Sequence, residues 1–261
     1  MVPAPKTGLA GTRPPGASDD AAAAQQVRDM FDRIAPRYDF LNHLLSLDFD
    51  KRWRRETARR FQSILADRHA AVLDLCCGTG DLAFALEGES LDKNAARGRG
   101  AHILASDFSH SMLVLGREKA AAAGSQVEFI EADALQLPLA DARFDLVTAA
   151  FGFRNLANYF LGLREIRRVL KPSGWAGILE FAEPRGKIFG TMYRFYFSRI
   201  LPRLGGLISG SSAAYSYLPN SVEKFPRPEE VAALFESAGF SEVRFELWMG
   251  GVVTLHTGRR T

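Results

Sequence analysis

Three aspartates in the first half of the chain, Asp74, Asp107 and Asp133, lie at or just past the ends of short apolar segments. An ionised carboxylate only accepts hydrogen bonds, so it suits ligands that present hydroxyl, amino or ammonium groups. We expect Asp74 to receive an ammonium group or to organise its loop, and Asp107 to accept both hydroxyls of a ribose. The alternative for Asp107 is that it, or Ser109, caps the helix that follows.

A glycine-rich turn follows the first apolar segment, in the sequence Val72-Leu-Asp-Leu-Cys-Cys-Gly-Thr-Gly-Asp81. Gly78 and Gly80 permit a close approach of the backbone to a ligand, and the free N–H groups of the next helix suit a polar or anionic group. We include Thr79 between them in the predicted site. Alone, this turn also fits a tight turn without a ligand, or a dinucleotide site, because Gly78-x-Gly80-x-x-Ala83 satisfies the relaxed dinucleotide pattern.

The loop after the third apolar segment separates these alternatives. Its sequence, Glu131-Ala-Asp-Ala-Leu-Gln-Leu-Pro138, followed by Phe144-Asp145, resembles the adenine-binding loop of class I methyltransferases. The resemblance implies that Asp133 accepts a hydrogen bond from the adenine amino group and that the Ala134 backbone lies against the ring. It therefore implies S-adenosyl-L-methionine as the cofactor and disfavours a dehydrogenase. We also assign Met112 and Ala150 to the cofactor site, and we predict no metal site.

The elements that position these loops alternate between strands and helices, which predicts a parallel sheet covered on both faces. We expect strands at 71–75, 103–106, 127–131, 144–151 and 175–181, with helices at 81–86, 112–123 and 160–170 between them. After a helix at 228–238, strands at 243–247 and 251–256 are close enough in sequence to pair. The expected fold class is α/β: a class I, Rossmann-like methyltransferase whose mostly parallel sheet carries a C-terminal antiparallel hairpin and an N-terminal helical cap.

The chain divides into a tail and one domain. Residues 1–24 are rich in Ala, Pro, Gly and Asp with almost no bulky apolar side chains, so we expect a disordered tail. Residues 25–261 are expected to form a single methyltransferase domain. Within it, residues 25–65 would be the helical cap, with a helix from about Gln25 to Ile34 and a second over 50–65. Residues 187–225 would be a lid or substrate insertion.

Several longer motifs narrow the family. The segment Tyr38–Trp53 resembles the N-terminal signature of the ubiquinone/menaquinone C-methyltransferases, and Arg168–Glu180 resembles their second signature. Phe151-Gly-Phe-Arg-Asn155 and Gly251-Val-Val-Thr-Leu-His256 are similar to further segments of that family. The resemblance extends from about Gln25 to His256. It implies methylation of a ring carbon of a polyprenylated quinol, either 2-demethylmenaquinol or the methoxy-benzoquinol of ubiquinone synthesis.

The same resemblance assigns the substrate side of the site. Arg154 is the candidate catalytic residue and has been proposed in this family as the base. Because a guanidinium has a pKa above 12, we instead expect it to stabilise a developing phenolate, through a water that carries the proton; a structural arginine that bridges loop carbonyls is the alternative. The other predicted substrate-binding residues are Tyr38, Asn42, Asn155, Tyr215 and Tyr217, and all of them except Asn155 could equally be lid-packing residues.

Composition bounds the partners. The 261 residues carry a net charge of +3, too small to argue for nucleic acid, and the two adjacent cysteines fit a reducing compartment. No apolar run approaches 18 residues and no secretory signal is apparent, so we expect a cytoplasmic protein. A polyprenyl substrate implies transient contact with the inner face of a membrane. The basic segment Lys51–Arg60 and the aromatic segment Lys187–Leu207 are candidates for that contact.

Other interpretations stay open from sequence. The two candidate membrane segments could instead form a solvated helix face and an ordinary core or homodimer contact. An O- or N-methyltransferase of a small soluble molecule would share every cofactor residue and differ only in the acceptor pocket. An RNA methyltransferase could use the basic helix at 51–60, but the chain shows no appended RNA domain and little excess charge.

Overall fold

A computed structural model describes residues 11–14, 16–39, 46, 48–90, 100–184 and 221–261. Seven strands form one sheet in the order β3-β2-β1-β4-β5-β7-β6. The strands are β1 (Ala71–Leu75), β2 (His102–Asp107), β3 (Glu128–Glu131), β4 (Phe144–Ala150), β5 (Leu170–Phe181), β6 (Phe240–Trp248) and β7 (Val253–Arg260). The helices are α1 (Asp20–Ile34), α2 (Phe49–Arg60), α3 (Gln62–Leu65), α4 (Asp81–Ser90), α5 (His110–Ala123), α6 (Tyr159–Val169) and α7 (Pro228–Ser237).

Strands β1 to β5 are parallel, whereas β7 runs antiparallel to both β5 and β6. This confirms the predicted fold class, a mostly parallel sheet with a C-terminal antiparallel hairpin. Strands β2 and β3 lie on one side of β1 in the sheet, and β4, the next strand in sequence, lies on its other side. The strand order therefore reverses at β1, and the carboxyl ends of β1 and β4 diverge into a crevice where open α/β sheets bind ligands.

Both faces of the sheet are covered by helices. Because successive side chains of a strand point to opposite faces, Leu73 and Leu75 join one core with α6 and α7. Val72 joins the other core, with α2, α3 and α4. A strand buried on both faces reads as a continuous apolar run, which is why β1 and β4 were predictable from sequence.

Strand β5 is longer than the predicted 175–181. It begins at Leu170, and its pairing with β4 jumps from the Phe144–Leu170 pair to the Leu146–Trp175 pair. Residues 171–174, expected to form a turn after α6, are the extra residues of this irregularity. Ser173 has a positive φ of 68°, the local kink that accommodates them.

The N-terminal helices also differ from expectation. Helix α1 begins at Asp20, where we expected order to begin near Gln25, because Asp19 caps it by accepting a hydrogen bond from the Ala22 amide at 2.8 Å. The helix expected over 50–65 is interrupted at Phe61, whose φ and ψ of −107° and 15° separate α2 from α3. Within the described ranges, no helix is both long and apolar enough to cross a lipid bilayer.

Candidate cofactor-binding site

A cleft of about 680 Å³, partly open to solvent, lies at the carboxyl ends of β1, β2 and β4. The predicted site residues that line it are Tyr38, Gly78, Asp107, Met112, Asp133, Ala134 and Asn155. Loops distant in sequence thus converge on one cleft.

The glycine turn forms the floor of this cleft. Gly78 has a φ of 56°, and a Cβ added there would lie 3.4 Å from Cε1 of Tyr38. The Tyr38 ring therefore lies against the turn, at a backbone position that favours glycine. Gly80 does not line the cleft. Its φ is 90°, and an added Cβ would lie 2.9 Å from the Phe129 ring, so Gly80 lets the turn pack against β3.

Asp107 links the first two loops. One of its oxygens accepts a hydrogen bond from the Gly78 amide at 2.8 Å, and the other accepts one from the Ser109 amide at 2.9 Å. Burial raises the pKa of this carboxyl, and the amide hydrogen bonds oppose that shift. A carboxylate oxygen has more than one acceptor site, so Asp107 can organise the turn and still accept hydroxyl groups of a ligand. Ser109, not Asp107, caps α5 by accepting from the Met112 amide.

The third loop presents Asp133 at the surface above a buried Ala134. Asp133 Oδ1 accepts a hydrogen bond from the Leu135 amide at 2.8 Å, which tightens the turn. Helix α6 supports the loop from behind: Glu165 accepts from the Leu137 amide at 2.7 Å, and Arg168 donates to the carbonyl of Leu137 at 3.1 Å. The loop that carries Asp133 is therefore supported by an ion pair on a neighbouring helix.

Besides Gly80, three further predicted cofactor residues do not line the cleft: Asp74, Thr79 and Ala150. Asp74 is completely buried in the sheet and accepts a hydrogen bond from Thr148 at 2.9 Å. Burial raises its pKa to about 7. Thr79 is also buried and donates to Asp39. Of the two roles considered for Asp74, the structure favours that of organising the strand end over that of receiving an ammonium group.

A polar network behind the glycine turn was not predicted from sequence. Lys119 of α5 donates to Asp39 at 2.9 Å and to Thr79 at 3.0 Å, and it pairs with Asp81 at the start of α4. Asp81 also lies 3.7 Å from Arg54 of α2. This network connects the N-terminal cap to the turn. Its only sequence signal was a lysine on a helix, which gives no indication of partners 38 to 80 positions away.

Arg154 is buried and does not line the cleft. Its guanidinium donates to Glu180 at 2.7 Å, to Ser221 at 3.3 Å and to the Phe151 carbonyl, and its own amide donates to Glu180 at 3.1 Å. It also lies 5.5 Å from the centre of the Phe181 ring. The geometry favours the alternative interpretation, a structural arginine that bridges the loop after β4. Glu180, completely buried, was not predicted as a site residue.

The remaining predicted residues divide into two groups. Tyr38 and Asn155 line the cleft, as expected of residues that close over a ligand. Asn42, Tyr215 and Tyr217, together with most of the predicted lid at 187–225, lie outside the described residues. The cleft is also lined by residues that sequence reasoning did not select: Ala24, Phe31, Cys76, Phe108, Phe151 and Leu156 are among them. Burial raises the pKa of the Cys76 thiol well above its ordinary value.

Solved structures share this architecture. The chain is similar to a SAM-dependent methyltransferase from Aquifex aeolicus, with a TM-score of 0.55 and 19% identity over 78% of this chain and 89% of that one. It is also similar to phosphoethanolamine N-methyltransferase 2 of Haemonchus contortus in complex with S-adenosyl-L-methionine, with a TM-score of 0.51 and 17% identity over 73% of this chain and 38% of that one. The chain therefore has the Rossmann-like fold of the class I methyltransferases.

Sequence relatives give the family. The model of the ubiE/COQ5 methyltransferase family matches residues 19–260, so this chain belongs to that family. A demethylmenaquinone methyltransferase of Thermus thermophilus is 51% identical, over 88% of this chain and 100% of its own. One of Deinococcus radiodurans is 44% identical, over 95% and 98%. A ubiquinone/menaquinone biosynthesis C-methyltransferase UbiE of Geobacter sulfurreducens is 42% identical, over 90% and 89%. The family predicted from the motifs is confirmed.

Proposed function

We propose that this methyltransferase uses S-adenosyl-L-methionine to methylate a ring carbon of a polyprenylated quinol, with 2-demethylmenaquinol as the acceptor. The observation that carries the proposal is the meeting of Gly78, Asp107 and Asp133 on one cleft, in a chain of the ubiE/COQ5 family. The choice of acceptor is supported by the two relatives named demethylmenaquinone methyltransferases, at 51% and 44% identity. The methoxy-benzoquinol of ubiquinone synthesis is the second acceptor to be tested.

The residues present fit this cofactor. Asp107 is a buried carboxylate whose fixed amide partners leave acceptor capacity for ribose hydroxyls. One oxygen of Asp133 accepts a hydrogen bond from the Leu135 amide, and the second would accept one from the adenine amino group. Ala134 and Met112 offer apolar surface to a flat ring. The turn at Gly78 brings backbone close to the methionyl part. When bound, the cofactor supplies an electrophilic methyl group on a sulfonium.

The protein's own contribution is orientation and exclusion of water. A quinol ring carbon becomes nucleophilic when a neighbouring hydroxyl loses its proton to water, and the walls of the cleft would have to hold that carbon facing the methyl group. Phe31, Tyr38, Phe151 and Leu156 give the cleft mostly apolar walls. Apolar walls strengthen any electrostatic stabilisation of the phenolate. After transfer, the ring carbon loses its own proton and aromaticity returns.

We propose that Arg154 supports this reaction by fixing the loop after β4 rather than by accepting a proton. A guanidinium paired with a buried carboxylate is a still weaker base than a free one. Its pairing with Glu180 places it behind the wall formed by Phe151 and Asn155. Through that loop it influences the shape of the cleft, and its positive charge can stabilise a phenolate in front of the wall.

Membrane contact is a further part of the proposal, because the acceptor is a lipid. The basic helix α2 is less available than its sequence suggested: Arg54 is buried against Asp50, and Lys51, Arg59 and Arg60 form ion pairs with acidic neighbours. We propose that Arg52 and Arg55, both exposed, make the transient contact with an anionic membrane on the cytoplasmic side. A homodimer contact at α2 is the alternative to membrane contact.

Vesicle flotation tests the contact. Arg52→Gln with Arg55→Gln should reduce flotation with vesicles of phosphatidylglycerol and phosphatidylcholine by several-fold, since each basic side chain contributes about 1 kcal/mol near an anionic surface. Arg68→Gln with Arg244→Gln removes the same charge from exposed positions elsewhere and should have little effect. Equal losses for both pairs would show that only net charge matters and would remove α2 from the proposal.

The activity is tested by transfer of labelled methyl from S-adenosyl-L-methionine to the two quinols, with catechol and transfer RNA as controls. Wild-type protein should label 2-demethylmenaquinol preferentially. Asp107→Asn keeps a carbonyl oxygen but loses the second acceptor, so it should weaken cofactor binding at least tenfold. Glu118→Gln, an exposed change on α5, should not. Labelling of catechol or RNA in preference to either quinol would overturn the proposal.

A further inference from the structure

The N-terminal segment, which comprises residues 11–14 and 16–38, spans the cofactor cleft from one side to the other. Helix α1 and the residue Tyr38 contribute three lining residues, Ala24, Phe31 and Tyr38. On the β2 side, Asp32 accepts a hydrogen bond from Ser109 at 2.6 Å, which attaches α1 to the start of α5. What attaches the other end of the segment therefore determines how firmly the cleft is covered.

That other end is attached at Thr12. Its amide donates to the Leu156 carbonyl at 2.8 Å, and its hydroxyl donates to the Arg154 carbonyl. The same hydroxyl lies 3.0 Å from the hydroxyl of Tyr159, a buried side chain that itself donates to the Arg154 carbonyl at 3.0 Å. Each hydroxyl has a single hydrogen and donates it to the Arg154 carbonyl, so both side chains meet at this one oxygen, on the loop whose residues Asn155 and Leu156 line the cleft.

Gly11, next to Thr12, is also in close contact with the loop after β4. Gly11 has a φ of 137°, and a Cβ added there would lie 2.0 Å from the Ala157 carbonyl oxygen. The backbone at Gly11 therefore lies directly on the loop after β4, at a distance that only glycine permits. Loop residues 155–157 are covered by the segment on one side and face the cleft on the other.

We propose that Thr12 is a positioning residue for the cofactor: it attaches the N-terminal segment across the cleft and holds the wall at 155–157. Release of this attachment opens the cleft on the side of the loop after β4, so its strength sets the rate at which the cofactor leaves. The inference rests on the proposed function in one respect, that the ligand of the cleft is S-adenosyl-L-methionine. Residues 1–24, which include Thr12, had been expected to form a disordered tail, and nothing in the sequence of that part pointed to this role.

Paired substitutions test the hydroxyl. Thr12→Val is nearly isosteric and removes only the hydroxyl, so it should raise the dissociation rate of S-adenosyl-L-methionine and its KM about 3- to 10-fold. The value of kcat at saturating cofactor should change less than about twofold, because Thr12 does not touch the reacting atoms. Thr12→Ser restores the hydroxyl and should restore the rate. Ser18→Ala, which removes an exposed hydroxyl from the same segment, is the control.

Gly11→Ala disturbs the attachment by a different route, through the clash with Ala157. It should accelerate both cofactor dissociation and amide hydrogen exchange at 155–158, as should Thr12→Val. Unchanged dissociation and exchange in both variants would overturn the inference, as would failure of Thr12→Ser to restore the wild-type rate. If wild-type protein did not bind the cofactor, the proposed function would fail. Unaltered exchange at 155–158 in the variants would then separately refute the attachment itself.

Discussion

Asp74 and Asp107 are both buried aspartates near the glycine turn, but their surroundings give them different properties. Each oxygen of Asp107 accepts a backbone amide hydrogen bond. One oxygen of Asp74 accepts a hydrogen bond from Thr148, and the other has no hydrogen-bond partner among the described residues. Burial raises the pKa of this carboxyl, and the Thr148 hydroxyl and the nearby Ala83 amide oppose that rise only in part. Asp107 is therefore suited to bind a ligand as an anion, whereas Asp74 takes up a proton near neutrality.

The raised pKa of Asp74 makes stability depend on pH. Because the folded-state pKa is about 7 and the ordinary value is 3.8, protonated Asp74 favours the folded state. That contribution is complete below about pH 4 and is lost as pH rises through about 7, on the order of 4 kcal/mol in all. Asp74→Asn cannot ionise, so its free energy of unfolding relative to wild type should rise by a few kcal/mol between pH 5 and pH 8, measured by urea denaturation.

Glu118→Gln, at an exposed carboxylate, is the control for the same pH series. The difference between this variant and wild type should stay nearly constant. Parallel curves for Asp74→Asn and wild type across the range would show that Asp74 is ionised throughout, contrary to the effect of its burial.

Substitutions of the Arg154–Glu180 pair distinguish a structural role of Arg154 from a catalytic one. Arg154→Ala should destabilise the protein by about 3–5 kcal/mol, because it leaves the buried Glu180 carboxylate unpaired. Replacing both residues, as Arg154→Met with Glu180→Gln, removes both charges while keeping a side-chain oxygen for the Arg154 amide, and should recover much of the stability. If the positive charge also stabilises a phenolate, the double variant should fold yet turn over at least tenfold more slowly, with cofactor affinity reduced much less. Thermal unfolding, cofactor titration and methyl transfer measure the three quantities.

Arg154→Lys is the companion variant, since it keeps the charge while losing the planar donor geometry. A double variant with wild-type turnover would show that the charge has no part in catalysis. If cofactor affinity and turnover fell by the same factor, the pair would act only through the shape of the cleft.

Residues were predictable where their chemistry follows from local sequence. Gly78, Asp107 and Asp133 each follow an apolar segment directly, and parallel strands bring such positions to one edge of the sheet. Lys119 and Thr12 were missed because their partners lie far away in sequence. A lysine or threonine gives no local signal of which distant carboxylate or carbonyl it will meet.

At the scale of elements, the connection between β1 and α4 is the most constrained. Gly80 lies there at a φ of 90° with the Phe129 ring of β3 beside it. Gly80→Ala should therefore cost about 2 kcal/mol or more in the free energy of unfolding and weaken cofactor binding by shifting the turn. Gly88→Ala, on the exposed side of α4 with open space around it, should instead stabilise by about 0.5–1 kcal/mol.

Denaturant unfolding and cofactor titration of these two glycine variants provide the comparison. Similar small effects at both positions would mean that the turn is not held by β3. An unstable Gly80→Ala protein with normal cofactor affinity would confine the role of Gly80 to packing.

Element types were predicted well and element ends less so. Period-two and period-3.6 apolar patterns identify the strands and helices whose faces are buried. The break at Phe61, the irregular start of β5 and the early start of α1 depend on tertiary pairing and capping, which periodicity does not report. These differences moved the ends of elements or divided a helix in two, and they left the topology unchanged.

On the scale of the whole molecule, three layers converge on one cleft. The sheet supplies the glycine turn, Asp107 and the loop after β4. Helix α5 supports the glycine turn through Lys119, and helix α6 supports the loop after β3 through Arg168. The N-terminal segment covers them and is attached on both sides of the cleft, at Thr12 and Asp32.

The position of the transferred methyl group tests the central claim most directly. Protein incubated with methyl-labelled S-adenosyl-L-methionine and 2-demethylmenaquinol should yield a single product in which the label is bonded to ring carbon, identified by nuclear magnetic resonance of the purified quinol. Asp107→Asn should form the same product more slowly. A label bonded to oxygen, or no labelled quinol from protein that binds the cofactor, would contradict the account.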